Sequence, residues 1–395
     1  MLHHHTHPHI HRHGQSRRDF FRTLAGTALA GASIMELARH RAAWAQAMAP
    51  GANPSLFDIE KVATDVYFAR ARAAAVGNCN AGIFVNAADV LVVDAHSKPS
   101  AAASLIAQIK KEVTPKPVRY IVDTHFHWDH SQGNAAYRDI GAKILASNKT
   151  KQLMAEFSAA RLRESLDPNG HAFPSQPHVP ALLDAARQRL ASASTAEEKA
   201  TIQDQIRQLE AFAVEMKNFS PALPTITFDK TYVIKDKAHD LHLEFHGRAH
   251  TAGDVQVFCP EKRVVATGDM ILGSSPFMAD SYPKEWPASI DSVSKLDFDY
   301  VMPGHGGVQN GRQRMTDLRN YIEELTARVD AGKKAGKSVA DLQQSIAATS
   351  LKSMQANGYA EFLLGGGRGN ASPAAALQSR VNTNIEHIYG RLDAA

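Results

Sequence analysis

His125-Phe126-His127-Trp128-Asp129-His130 is the stretch from which the rest of the chain is read. Just ahead of it, Arg119-Tyr120-Ile121-Val122-Asp123-Thr124 is a short apolar run, β-branched and aromatic, that follows a Pro-containing break. Such a run is a buried β-strand. The strand ends where three imidazoles and a carboxylate begin, all of them donors that suit Zn²⁺. In extended backbone alternate residues share a face, so His125, His127 and Asp129 are expected to point one way. His130 comes next, and a turn there aims it at a neighbouring point. One metal needs only part of this set, so the pattern predicts two metals side by side.

The chain has 395 residues, ample for a large core and, by length alone, for two domains. Hydrophobic residues at 44% and charged residues at 21% are ordinary for a soluble globular protein. A net charge of +4 gives no electrostatic ground for nucleic acid or an anionic membrane as partner. Cys79 and Cys259 are the only cysteines, too few for a disulfide scaffold. One bridge and two separate buried thiols both fit.

Residues 1–14 are His-rich without apolar periodicity, either a metal-binding tail or an added tag, and are expected to be disordered. Arg17-Arg18 then precedes a mildly apolar run, 23–35, and two small-X-small cleavage sites, Ala43-Trp44-Ala45 and Ala45-Gln46-Ala47. The order of these features resembles a twin-arginine export signal. It implies a chain exported folded, a mature protein in the periplasm or beyond, the twin-arginine machinery as a partner, and no stable membrane association after cleavage. The run is shorter than the roughly 20 residues that span a membrane.

Working outward from the His-rich stretch, 66–71, 80–85 and 90–94 read as strands and 101–113 as a helix. Strand–helix–strand order makes the class α/β. Asp94 closes one strand; as a turn former or as an acceptor that orients a metal-bound His it fits equally. Residues 150–220 break the pattern with a helix over 151–166, a loop over 167–180, and helices over 181–191 and 195–217. Ile202, Ile206, Leu209, Ala213 and Met216 form one stripe, expected to pack on the partner helix or the body. His171 and His178 in the loop read as polar loop residues. Strands resume over 225–228, 232–234 and 241–245. Three short segments then each follow a strand: His250-Thr251-Ala252-Gly253-Asp254, Gly268-Asp269 and Gly304-His305-Gly306. Helices are expected over 315–331, 339–347 and 372–392. Gly365-Gly366-Gly367-Arg368-Gly369 lacks the Lys-Ser/Thr of a phosphate loop and reads as a flexible loop.

His-X-His-X-Asp-His resembles the signature of the metallo-β-lactamase superfamily, and the three later segments come in that family's order. The resemblance covers roughly residues 62–306, interrupted by the insertion. It implies an αβ/βα sandwich with a helical insertion and a helical C-terminal extension. The divisions are 1–47 for tail and signal, 48–310 for the catalytic domain with its insertion at 150–220, and 311–395 for the extension. It implies a first metal held by His125, His127 and His250, and a second by Asp129, His130 and His305. Asp269 would bridge the pair, with a bridging hydroxide opposite. The expected cofactor is two Zn²⁺, with Fe or Mn compatible at one position.

That arrangement implies a zinc-dependent hydrolase cleaving an ester, thioester, lactone or amide of a small molecule. Asp129 would be the catalytic residue that orients the hydroxide. Members resembling glyoxalase II or lactonases carry the carboxylate at position 269, whereas true metallo-β-lactamases generally lack it, so β-lactam hydrolysis stands as the alternative. A mononuclear iron persulfide dioxygenase uses two His and one Asp of the framework, and His130 together with His305 argues against it. A periplasmic metal carrier would explain the His-rich tail but not seven ordered ligand positions at strand ends.

Overall fold

The computed structural model describes residues 56–72, 79–173, 176–364 and 372–393. The tail, the export signal and the Gly-rich run at 365–369 lie outside the described residues. The chain enters an antiparallel meander of β1 (Phe57–Ala63), β2 (Val66–Ala71), β3 (Ala81–Val85) and β4 (Val90–Val93). Helix α1 (Pro99–Glu112) starts on a proline, which suits a first turn, and buries Leu105, Ile106 and Ile109 on one face. Its crossover lays β5 (Val118–Val122) parallel to β4. Two short helices follow, α2 (Trp128–Ser131) and α3 (Asn134–Asp139), and then β6 (Lys143–Ser147), parallel to β5.

The insertion opens with α4 (Asn148–Leu153), capped by Ser147 Oγ accepting from the Thr150 amide. It continues through a π-turn (Met154–Ser158) into α5 (Ala159–Leu166). Helices α6 (Val179–Ser192) and α7 (Ala196–Met216) form an antiparallel hairpin. Within the predicted stripe, Ile202, Leu209 and Met216 are buried and Ile206 and Ala213 pack beside them. The stripe therefore serves the hairpin, as expected. Its inner end covers Trp128, whose ring lies 5.6 Å from that of Phe212. His171 pairs with Glu164 and His178 faces the Asp167 carbonyl, both as loop residues.

Strand β7 (Ile226–Phe228) completes a seven-stranded sheet in sequential order β1 to β7. The second sheet takes β8 (Thr231–Ile234), β9 (Leu241–Glu244), β10 (Gln256–Cys259) and β11 (Val264–Gly268). After α8 (Trp286–Val293) it adds β12 (Tyr300–Pro303) and β13 (Gln309–Asn310). The six strands run in the order β13-β12-β11-β10-β9-β8. Phe68, Phe84, Leu91, Val122, Leu243 and Val257 fill the space between the sheets. Helices α1 and α3 cover the outer face of the first sheet. The outer face of the second is covered by α8 and by α9 (Gln313–Lys334), α10 (Val339–Ser345), α11 (Lys352–Gln355), α12 (Tyr359–Leu364) and α13 (Pro373–Arg391). The result is an αβ/βα sandwich with a helical insertion and C-terminal helices. Trp286 anchors that last layer, fully buried, with Nε1 donating to the Met270 carbonyl at 2.9 Å. Among the described residues no helix is long and apolar enough to cross a membrane. Cys79 and Cys259 are both buried and unbridged.

One expectation fails at the central stretch. The chain does not stay extended through Asp129. His127 caps α2 in β conformation (φ −62°, ψ 152°), and Trp128–Ser131 forms a helical turn. Alternation therefore holds for His125 and His127 only. Asp129 and His130, about 100° apart on that turn, swing toward a second point.

A candidate metal centre

The loops that carry the seven predicted residues meet at one edge of the sandwich. β4 and β5 run parallel, as do β11 and β12, so Asp94, His125, Asp269 and His305 all leave carboxyl ends of strands. Two glycines permit the approach. Gly268 has φ +53°, and a Cβ on it would stand 2.2 Å from Thr124 Oγ1. A Cβ on Gly304 would stand 2.2 Å from Asp269 Oδ1.

The structure brings His125, His127 and His250 together with one nitrogen each inside 4.8 Å of the others. It does the same for Asp129, His130 and His305, and for His125, His130 and Asp269. Asp269 lies between the two triads. Its Oδ2 is 3.7 Å from His250 Nε2, 3.5 Å from His130 Nε2 and 3.5 Å from His305 Nε2. Asp129 Oδ2 is 3.0 Å from His305 Nε2 and 3.5 Å from His130 Nε2. Two nitrogens bound to one tetrahedral zinc stand about 3.3 Å apart, from a Zn–N bond of about 2.0–2.1 Å. The observed spacings bracket that value.

The residues fit a metal on a second ground. His125 Nε2, His130 Nε2 and Asp269 Oδ1 are buried with no hydrogen-bond partner in the protein. Buried polar atoms are normally paired, and these three all face the cluster.

Four of the imidazoles are oriented from behind. His125 Nδ1 is 3.0 Å from Thr124 Oγ1, and His250 Nδ1 is 3.1 Å from the Phe277 carbonyl. His130 Nδ1 is 2.9 Å from Asp94 Oδ2, and Asp94 also accepts from the Thr124 amide and hydroxyl. Asp94, held at φ 71°, thus orients the His130 ring. His127 turns the other way round: Nδ1 faces His250 Nε2 at 2.9 Å and Nε2 faces Asp280 Oδ2 at 3.0 Å. Asp280 is the site residue that sequence reasoning missed. It lies in an irregular loop, and an aspartate there carries no pattern.

Electrostatics divides the two triads. Burial pulls His250 down to about 3, and the neighbouring His127 acts in the same direction. Burial and the surrounding imidazoles hold His125 well below its ordinary value. Both are therefore neutral, as ligation requires. Burial also acts to lower His130 and His305, but negative charge nearby outweighs it and both are raised. Asp269 and Asp129 are common to the two, with Asp94 added at His130. Burial pushes Asp269 up, yet His305, His130 and His250 hold its carboxyl below the usual range.

An αβ/βα sandwich with His and Asp clusters at the carboxyl edge of its strands defines a metallohydrolase-like class. A family model described as the metallo-beta-lactamase superfamily matches residues 74–305, and the chain belongs to that superfamily. A type 2 metallo-beta-lactamase from Bacillus cereus is 33% identical over 70 residues, 16% of this chain and 27% of that protein. The chain thus matches about a quarter of that relative's length. Among solved structures, a stereoselective inverting sec-alkylsulfatase from Pseudomonas sp. aligns at TM-score 0.55 and 15% identity, over 85% of this chain and 50% of that one. A metallo-beta-lactamase from Pontibacter korlensis aligns at TM-score 0.47 and 17% identity, over 68% of this chain and 99% of that one. At such identities the likeness concerns the fold.

Proposed function

We propose that this chain is a binuclear zinc hydrolase of a small-molecule ester, thioester, lactone or amide. The observation that carries the reading is the position of Asp269 between the two triads. His125, His127 and His250 would hold one ion, Asp129, His130 and His305 the other, and Asp269 both. Zinc held there would supply Lewis-acid chemistry, a lowered pKa for water and polarisation of the scissile bond.

The chain's own residues supply the rest. Asp280 and the Phe277 carbonyl take the outward protons of His127 and His250 and leave the inward nitrogens as lone pairs. Asp129 has Oδ2 turned toward His130 and His305, where it would join them at the second ion, which leaves Oδ1 to take a proton from the attacking water. His305, with 35% of its side chain exposed, marks the open side where substrate enters. A Ser or Cys nucleophile is not required.

The test is metal per chain by plasma mass spectrometry, for wild type and Asp269→Ala, with a panel of esters, thioesters, lactones, amides and β-lactams. The sec-alkylsulfatase neighbour adds a sec-alkyl sulfate. Two zinc per chain, falling in the variant, supports the reading. A single iron unaffected by the variant overturns it and favours sulfur oxidation. Export through the twin-arginine route is part of the same proposal. Arg17→Lys with Arg18→Lys should leave the precursor unprocessed in the cytoplasm.

A further inference from the structure

One side chain of the insertion, that of Arg161, reaches a residue behind the candidate metal centre. Arg161 lies on α5, just after the π-turn, and its guanidinium grips Asp280 with both arms, Nη1 to Oδ2 at 2.8 Å and Nη2 to Oδ1 at 3.0 Å. Asp280 Oδ2 is the same atom that meets His127 Nε2. The guanidinium carbon lies 5.2 Å from the ring of Phe126, 4.9 Å from Phe157 and 5.8 Å from Phe173. Both partners of the pair are largely buried, with side chains 13% and 16% exposed. A planar fork enclosed by rings and paired bidentately has one geometry, and it fixes the carboxylate that it holds.

The segment that carries Asp280 is gripped from the opposite side as well. Arg391 Nε donates to the Ser281 carbonyl at 2.8 Å, and the His387 ring stands 5.1 Å from that of Phe277. Both belong to α13. The loop that orients His127 and His250 is therefore held between the insertion and the C-terminal helix.

Resting on the binuclear reading above, we propose that Arg161 is a positioning residue for the first metal. Through Asp280 it fixes which nitrogen of His127 carries the proton and where the other nitrogen points. The insertion is then a working part of the centre and not only a cover for Trp128. Removing a partner behind a ligating His typically weakens metal binding by about 10- to 100-fold.

The experiment is zinc binding to the full chain in chelator-buffered solutions, counted per chain, with the absorption spectrum of the cobalt-substituted protein alongside. The variants are Arg161→Ala, Arg161→Lys and Asp280→Asn. Arg161→Ala and Asp280→Asn should each weaken one of the two zinc ions by about 10- to 100-fold and shift the cobalt spectrum. Arg161→Lys should fall between, since lysine restores the charge but not the fork. Asp280→Asn keeps the shape of the side chain, so it decides the matter if Arg161→Ala fails to fold. Unchanged zinc affinity and cobalt spectrum in a folded Asp280→Asn, with wild type holding two zinc ions, overturns this proposal alone. A wild-type chain that binds no zinc overturns the binuclear reading, and this one with it.

Discussion

The two halves of the candidate metal centre are built differently. Every member of the triad His125, His127 and His250 is sealed and anchored, His125 by the preceding Thr124, and His127 and His250 by one loop through Asp280 and the Phe277 carbonyl. In the triad Asp129, His130 and His305, His130 alone has such an anchor, Asp94, among the contacts of the described residues. Asp129 and His305 face each other at 3.0 Å, and their side chains are 15% and 35% exposed. The first half thus has more contacts that hold its side chains in place than the second. Preorganised sites lose less freedom on binding, so the first should hold its metal more tightly.

The largest expected effect is on the sealed side. His250→Ala should lower kcat/KM at least about 10³-fold, roughly 4 kcal/mol of transition-state stabilisation, because an ion and its polarising charge go together. His305→Ala should cost less, about 10²-fold, and should leave close to one zinc per chain on dialysis. If instead the His305 variant loses both ions while the His250 variant keeps one, the order of the two halves is reversed. Asp94→Asn is subtler, since it disturbs the anchor of His130 in the open half. Zinc titration should show the weaker site losing about 10-fold or more in affinity and the tighter site, which Asp94 reaches only through Thr124 and His125, losing less. The smallest effect concerns the thiols. Burial pushes Cys79 and Cys259 up to about 12 each, and the thiolate is the reactive form. Neither should react with a thiol reagent at pH 8 in the zinc-loaded protein. Cys79 has Sγ within 4.8 Å of ligand atoms on His130 and Asp94, so chelation should expose it ahead of Cys259. Equal rates after chelation would break the link between Cys79 and the open half.

What the sequence made legible follows the range of the interactions. His125, His127, Asp129 and His130 stand in one short stretch, and their chemistry needs no knowledge of the rest. His250, Asp269 and His305 were readable only jointly, through order and strand-end position. The helices α7, α9 and α13 were readable because each buries one face along many turns. Asp280 and Arg161 were not, because their meaning lies in a contact 119 positions apart in the chain. The turn at Trp128–Ser131 was mistaken for extended chain because four residues carry no period. β10, fully buried in mid-sheet, and the short α11 and α12 lacked a distinguishing signal for the same reason.

The π-turn at Met154–Ser158 sets the rotational phase of everything that follows it in the helix. Such a turn holds about one residue more than an α-turn, and one residue is about 100° of rotation. Deleting a single residue there would make the helix more regular and carry Arg161 away from Asp280. Shortening the far tip of the α6–α7 hairpin leaves that phase untouched. The insertion thus has a root whose length is a functional constant and a tip whose length is open to variation, and variants with altered loops should be built at the tip.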